Sequence, residues 1–142
     1  MINLTRNLTK EKVDHIKDLV DKIDKDLFIY HGGTYDIELK DIPLSGYCVG
    51  GFGEEIKFPI HTDESKILIS DFISKYYYNL MINRYNDTYK LYIGAWRDDD
   101  DNCVLDIVYI ENDLNKAINL GEQLKQKAIF DLAYEKEIKL QY

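Results

Sequence analysis

Tyr89-Lys90-Leu91-Tyr92-Ile93-Gly94-Ala95-Trp96, then Arg97-Asp98-Asp99-Asp100-Asp101-Asn102, then Cys103-Val104-Leu105-Asp106-Ile107-Val108-Tyr109-Ile110-Glu111 is the stretch that decides the fold. Two runs rich in β-branched and aromatic residues flank six polar ones, the pattern of two antiparallel strands joined by a loop. Tyr92 and Trp96 share one parity while Leu91, Ile93 and Ala95 share the other. Side chains alternate along a strand, so both faces of this hairpin are expected to be partly covered.

Outward from the hairpin, three segments carry helical spacing. Thr9 is the expected N-cap of the first, and Val13, Ile16, Val20, Ile23 and Leu27 follow it in steps of three and four. Lys12, Asp14, Asp18, Lys22, Asp24 and Lys25 form its solvated side. The second opens at Thr62, with Asp63 and Glu64 favourably placed against the helix dipole. It continues through Leu68, Phe72, Tyr76 and Leu80, flanked by Ile69, Ile73, Tyr77 and Met81, which predicts burial on more than one side. The third begins near Asn112 or Asp113 and turns Leu114, Ala117, Ile118, Gly121 and Leu124 inward. A glycine inside a helix costs about 1 kcal/mol relative to alanine, so Gly121 implies a backbone lying close against a sheet.

Strand patterns fill the intervals. Phe28–His31 and Thr34–Lys40 surround Gly32-Gly33, read as a tight turn or bulge. Gly46–Phe52 and Glu55–Pro59 surround Gly53 as a strand-turn-strand corner, and Ala128–Leu132 with Glu137–Leu140 form a last hairpin turning at Ala133–Lys136. Short turns between strands favour antiparallel pairing. The expected fold is α+β: one domain over residues 1–142, a mostly antiparallel sheet built from hairpins with about three helices packed on it.

Charge narrows the functional classes. Eighteen Lys+Arg against 26 Asp+Glu give a formal net charge of −8, which disfavours direct binding of nucleic acid or anionic membrane. No run approaches the about 20 apolar residues that span a bilayer, and no export signal is seen at the N-terminus, so a cytoplasmic location is expected. Cys48 and Cys103 are then expected as free, buried thiols. His15, His31 and His61 lack metal-ligand spacing, and no metal or cofactor is expected. Gly46-Tyr47-Cys48-Val49-Gly50-Gly51-Phe52-Gly53 lacks the Lys-Ser/Thr ending of a phosphate-binding loop and leads into a strand. Ser45 has no nucleophile elbow and Cys48 no cationic neighbour, so the chain is not expected to be an enzyme.

Two features point to protein binding. From Arg97 to Asp113 there are seven acidic residues and one basic one, net −6. Asp98, Asp99, Asp100, Asp101, Asp106, Glu111 and Asp113 are therefore the expected carboxylates of a surface facing a cationic groove. Alternating ligands and a turning glycine, the marks of a calcium loop, are absent from the aspartate run. Within Tyr76-Tyr77-Tyr78, successive helical residues point about 100° apart, so at least one faces outward. Tyr77 and Tyr78 are the expected interface anchors.

The ordered series Gly46-Tyr47-Cys48-Val49, Leu91-Tyr92-Ile93-Gly94-Ala95-Trp96, Val104-Leu105-Asp106-Ile107, Lys116-Ala117-Ile118-Asn119-Leu120-Gly121 and Gln126-Lys127-Ala128-Ile129-Phe130-Asp131-Leu132 with Glu137-Ile138 resembles a family of small uncharacterised proteins of phages and mobile elements. Ala95 stands where that family has a second glycine, and Lys125-Gln126-Lys127 where it has Asn-Gln. The resemblance implies a phage or prophage origin and carries over no catalytic residue. By analogy with small acidic phage proteins, it suggests stoichiometric inhibition of a host nucleic-acid-handling defence system, of anti-CRISPR or anti-restriction type, in the bacterial cytoplasm. Two other readings stay open: a small enzyme or ligand-binding domain with a pocket near Gly50–Gly53 and His61, and a homo-oligomeric structural accessory.

Overall fold

The computed structural model describes residues 10–41, 43–60, 62–86 and 90–141, so Thr9, His61 and Tyr89 lie outside what is described. The elements run α1 (Lys10–Ile29), β1 (Gly32–Tyr35), β2 (Tyr47–Val49), β3 (Ile56–Pro59), α2 (Ser65–Asn86), β4 (Leu91–Arg97), β5 (Asn102–Glu111), α3 (Leu114–Gln123), β6 (Ala128–Asp131) and β7 (Lys136–Lys139). Among the described residues, seven strands form one antiparallel sheet in the order β1-β4-β5-β2-β6-β7, with β3 also paired to β5. The α+β fold expected from the sequence is the fold observed.

The β4–β5 hairpin is the centre of the sheet, registering Leu91 with Tyr109 through Arg97 with Cys103. Its odd-numbered β5 residues, Cys103, Leu105 and Ile107, join Leu91, Ile93 and Ala95 under α1 and α2. Ile16, Leu19, Val20, Ile23 and Leu27 of α1 and Ile69, Phe72, Ile73, Tyr77 and Leu80 of α2 complete that core. A smaller cluster of Val49, Ala117 and Ile129 lies under α3. Pairing parity puts Val49 with Tyr109 on the same face as the larger core, so the three helices share one face of the sheet. Gly121 is where α3 comes closest: a Cβ there would meet Leu140 Cδ1 at 2.6 Å and Ile129 Cγ2 at 3.1 Å.

The opposite face carries Tyr92, Val104, Asp106 and Val108, all buried. Curling of the sheet accounts for much of this. Thr34 Oγ1 of β1 lies 3.9 Å from Cys48 Sγ of β2, although two strands stand between them and a flat sheet would hold them about 14 Å apart. Gly94 lies under that crossing and offers no side chain. The β1–β2 connection also reaches this face at Asp41, which accepts from Tyr92 OH at 2.6 Å and Lys90 Nζ at 2.7 Å.

Three sequence expectations are corrected. Phe28–His31 is not a strand, because α1 continues to Ile29 and β1 begins only at Gly32. Thr34–Lys40 leaves the sheet after Tyr35, where Asp36 folds the chain by accepting the amides of Lys40 and Asp41. Gly46–Phe52 and Glu55–Pro59 do not pair with each other. β2 and β3 both pair along one side of β5, separated by residues 50–55, and β2 also pairs with β6 on its other side.

Candidate functional site

The aspartate run is a hairpin loop whose carboxylates are divided between folding and solvent. Asp98 Oδ1 accepts the amides of Asp100 and Asn102, both at 2.9 Å, which closes the turn. Its other oxygen lies 2.9 Å from Lys57 Nζ. That ammonium, with the two amides, holds the Asp98 carboxyl down at about 2 and raises Lys57 in turn. Asp101 takes the left-handed position of the turn with φ 59°, and its carboxylate is held by Arg97 Nη2 at 2.8 Å. Asp99 and Asp100 are exposed and have no ion pair among the described residues.

The remaining expected acids do not extend this loop into one surface. Asp106 is 2% exposed, below the curled face, and is corrected from surface carboxylate to buried group. Its Oδ2 accepts from Gly51 N at 2.9 Å and its Oδ1 from Ile107 N at 2.8 Å. Burial outweighs those amides and pushes its carboxyl up to about 6. Glu111 and Asp113 lie at the far end of β5, about 30 Å from the loop at strand rise. There Asp113 caps α3 through the Lys116 amide at 3.0 Å, and Glu111 accepts from Asp113 N at 3.3 Å. Asp98–Asp101 and Glu111–Asp113 thus form two separate acidic ends.

The chain just ahead of a second acidic segment, one not singled out in sequence as a site, contacts the loop. Ile60 N donates to Asp101 O at 3.1 Å. Asp63 and Glu64 follow Ile60 by three and four residues, a chain reach of at most about 14 Å. Both are exposed, without an ion pair among the described residues. The sequence showed these two only as the acidic start of a helix; the contact that joins them to the hairpin is tertiary.

Of the tyrosines, Tyr78 is 51% exposed and stands as an outward side chain. Tyr77 is 9% exposed and packs in the α1–α2 core, so its expected role as an anchor is corrected: its position on α2 turns inward with Ile73 and Leu80. The glycine corner is filled by packing. A Cβ on Gly53 would meet Ile107 Cγ1 at 2.7 Å and Tyr76 Cζ at 3.0 Å, and one on Gly51 would meet Gln126 Nε2 at 2.8 Å. Cys48 and Cys103 are free thiols on opposite faces of the sheet, each pushed up to about 12 by burial, so neither is an activated nucleophile. Among the described residues no group of His, Cys, Asp and Glu is arranged to hold a metal ion, and no helix is long and apolar enough to cross a membrane.

Part of the series Gly46–Val49, Leu91–Trp96, Val104–Ile107 and Gln126–Leu132 lies together, while Leu91, Ile93, Ala95, Leu105 and Ile107 face the core under α1 and α2. Cys48, Tyr92, Gly94, Trp96 and Asp106 share the curled face, and Gln126 lies against Gly50 and Gly51 beside them. No family model, curated protein or solved structure matches the chain.

Proposed function

We propose that this chain is a phage-type accessory protein that inhibits a host nucleic-acid-handling defence complex, of anti-CRISPR or anti-restriction kind, by stoichiometric binding in the bacterial cytoplasm. The surface offered is the end of the β4–β5 hairpin, where Asp63, Glu64, Asp99 and Asp100 face solvent. One observation supports this reading: all four carboxylates are exposed with no ion pair among the described residues, and Ile60, three residues before Asp63, bonds its amide to Asp101 O in the loop. Charges within about a Debye length of 8–10 Å reinforce one another toward a cationic groove. Glu111 and Asp113, committed to the α3 cap, are left outside the surface.

The test is phage plating on bacteria with and without a CRISPR or restriction system. Expression of the wild-type chain is expected to raise plating on a defended strain and to leave an undefended strain unchanged. The quadruple reversal Asp63→Lys, Glu64→Lys, Asp99→Lys and Asp100→Lys is expected to abolish the rise. Full protection of phage by that variant, or no rise with the wild type across defended strains, overturns the reading.

A further inference from the structure

β7 ends the sheet, paired to β6 on one side and, among the described residues, to nothing on the other. Leu140 N donates to Lys127 O at 2.9 Å, which fixes the parity of the β6–β7 ladder. Hydrogen-bonded pairs alternate along an antiparallel ladder, so Ile138 with Ile129 and Lys136 with Asp131 also bond inward. Glu137 and Lys139 therefore turn their N–H and C=O groups to the open edge, where no described residue meets them. Ile129 and Ile138 face α3, so the side chains of Glu137 and Lys139 lie on the other face. Both are exposed, without an ion pair among the described residues. Lysine on an edge strand discourages pairing with a second copy. Here an opposite charge stands two residues away on the same face.

We propose that β7 is a self-association edge, pairing antiparallel with β7 of a second copy about a two-fold axis at Ile138 and joining two sheets into one. Such pairing sets outward-bonding residues opposite one another. An axis at Glu137 would put that residue against itself, and an axis at Lys139 would do the same for lysine. Like charges directly opposite are destabilising. An axis at Ile138 pairs both outward residues inside the strand, Glu137 of each copy against Lys139 of the other. The two Ile138 side chains then meet on the α3 face as a non-hydrogen-bonded pair, with Cα atoms about 4.5 Å apart. Ile138 already packs against Val49, Ala117 and Ile129, so that cluster is continued across the axis. The helices leave room. α3 lies over β2 and β6, and β6 would stand three strand spacings from its copy, roughly 14 Å, against about 8–10 Å between packed helices. β2 and β6 belong to the Glu111 end of β5, so the join leaves the Asp98–Asp101 loop open and is independent of the binding proposed above.

The experiment is sedimentation velocity of the whole chain from micromolar to millimolar concentration, at low and high salt. The wild type is expected to dimerise reversibly, and more weakly as salt rises. Glu137→Lys and Lys139→Glu should each weaken the dimer at least tenfold. Mixed with each other, the two variants should associate, because each edge then offers the charges the other lacks. Both positions are exposed, and circular dichroism should show the fold kept in each variant. In the wild type, exchange of the Glu137 and Lys139 amides should slow as concentration rises. A wild type that stays monomeric, single reversals that dimerise as well as the wild type, or a mixture that stays monomeric overturns the proposal. A dimer in which the Glu137 and Lys139 amides exchange as fast as in the monomer uses another surface, and overturns it as well.

Discussion

Asp98 and Asp106 belong to one hairpin, eight positions apart, and each accepts two backbone amides. Their environments drive them in opposite directions. Lys57 stands 2.9 Å from Asp98 and holds it ionised down to about 2, whereas Asp106 has no cation and burial lifts it to about 6. The comparison separates two uses of an acidic residue that a charge count merges. One closes a turn at the edge of solvent, and the other pins an interior corner at a cost whenever it ionises.

The pH dependence should break this pairing most visibly. Asp106 binds its proton more tightly folded than unfolded, so its contribution to stability is largest below about 3.8 and is lost as pH rises to about 6. Full loss corresponds to roughly 3 kcal/mol, from a difference of about 2 pH units. Urea denaturation at pH 4 and pH 7 should show that fall in the wild type and not in Asp106→Asn. Asp98 has the opposite sign: its contribution is present above about 3.8 and lost as pH falls toward 2.

Gly50→Ala should come next. Its Cβ would land on the Asp106 carboxylate and Gln126 Oε1, and overpacking of this kind typically costs about 1–3 kcal/mol. A variant as stable as the wild type in urea would show that the corner yields freely. Lys57→Met should raise the Asp98 midpoint from about 2 toward the ordinary range in a carboxyl titration, and leave Asp106 where it was. Smallest of all, Asp99→Asn with Asp100→Asn should leave the urea midpoint unchanged, because neither side chain is held by the fold.

Much of the architecture was legible because it rests on periodicity. The β4–β5 strands, the α3 stripe ending against Gly121, and the last hairpin all appear close to their sequence positions. Phe28 and Ile29 misled because β-propensity at a helix end is overridden by continuation of α1, where both remain exposed. Leu19, fully buried, was missed from the α1 stripe, while Val13 at its first turn faces outward. The turn between β2 and β3 was legible at Gly53, but their common pairing with β5 was not, since nothing local says that two short runs share one partner strand. The acidic site was half legible. Four adjacent aspartates were plain, but which of them the fold consumes depends on Lys57 and Arg97. The partnership with Asp63 and Glu64 depends on a single hydrogen bond from Ile60.

The most direct test of the binding account is quantitative capture of basic proteins from bacterial extract on immobilised wild-type chain and on the quadruple Lys reversal at 63, 64, 99 and 100, at low and high salt. A specific partner should be retained by the wild type, elute as salt rises, and be lost at least tenfold from the reversal, while reversal of Glu135 and Glu137 at the β6–β7 turn changes nothing. Equal retention by both reversals, or retention indifferent to salt, would contradict the account.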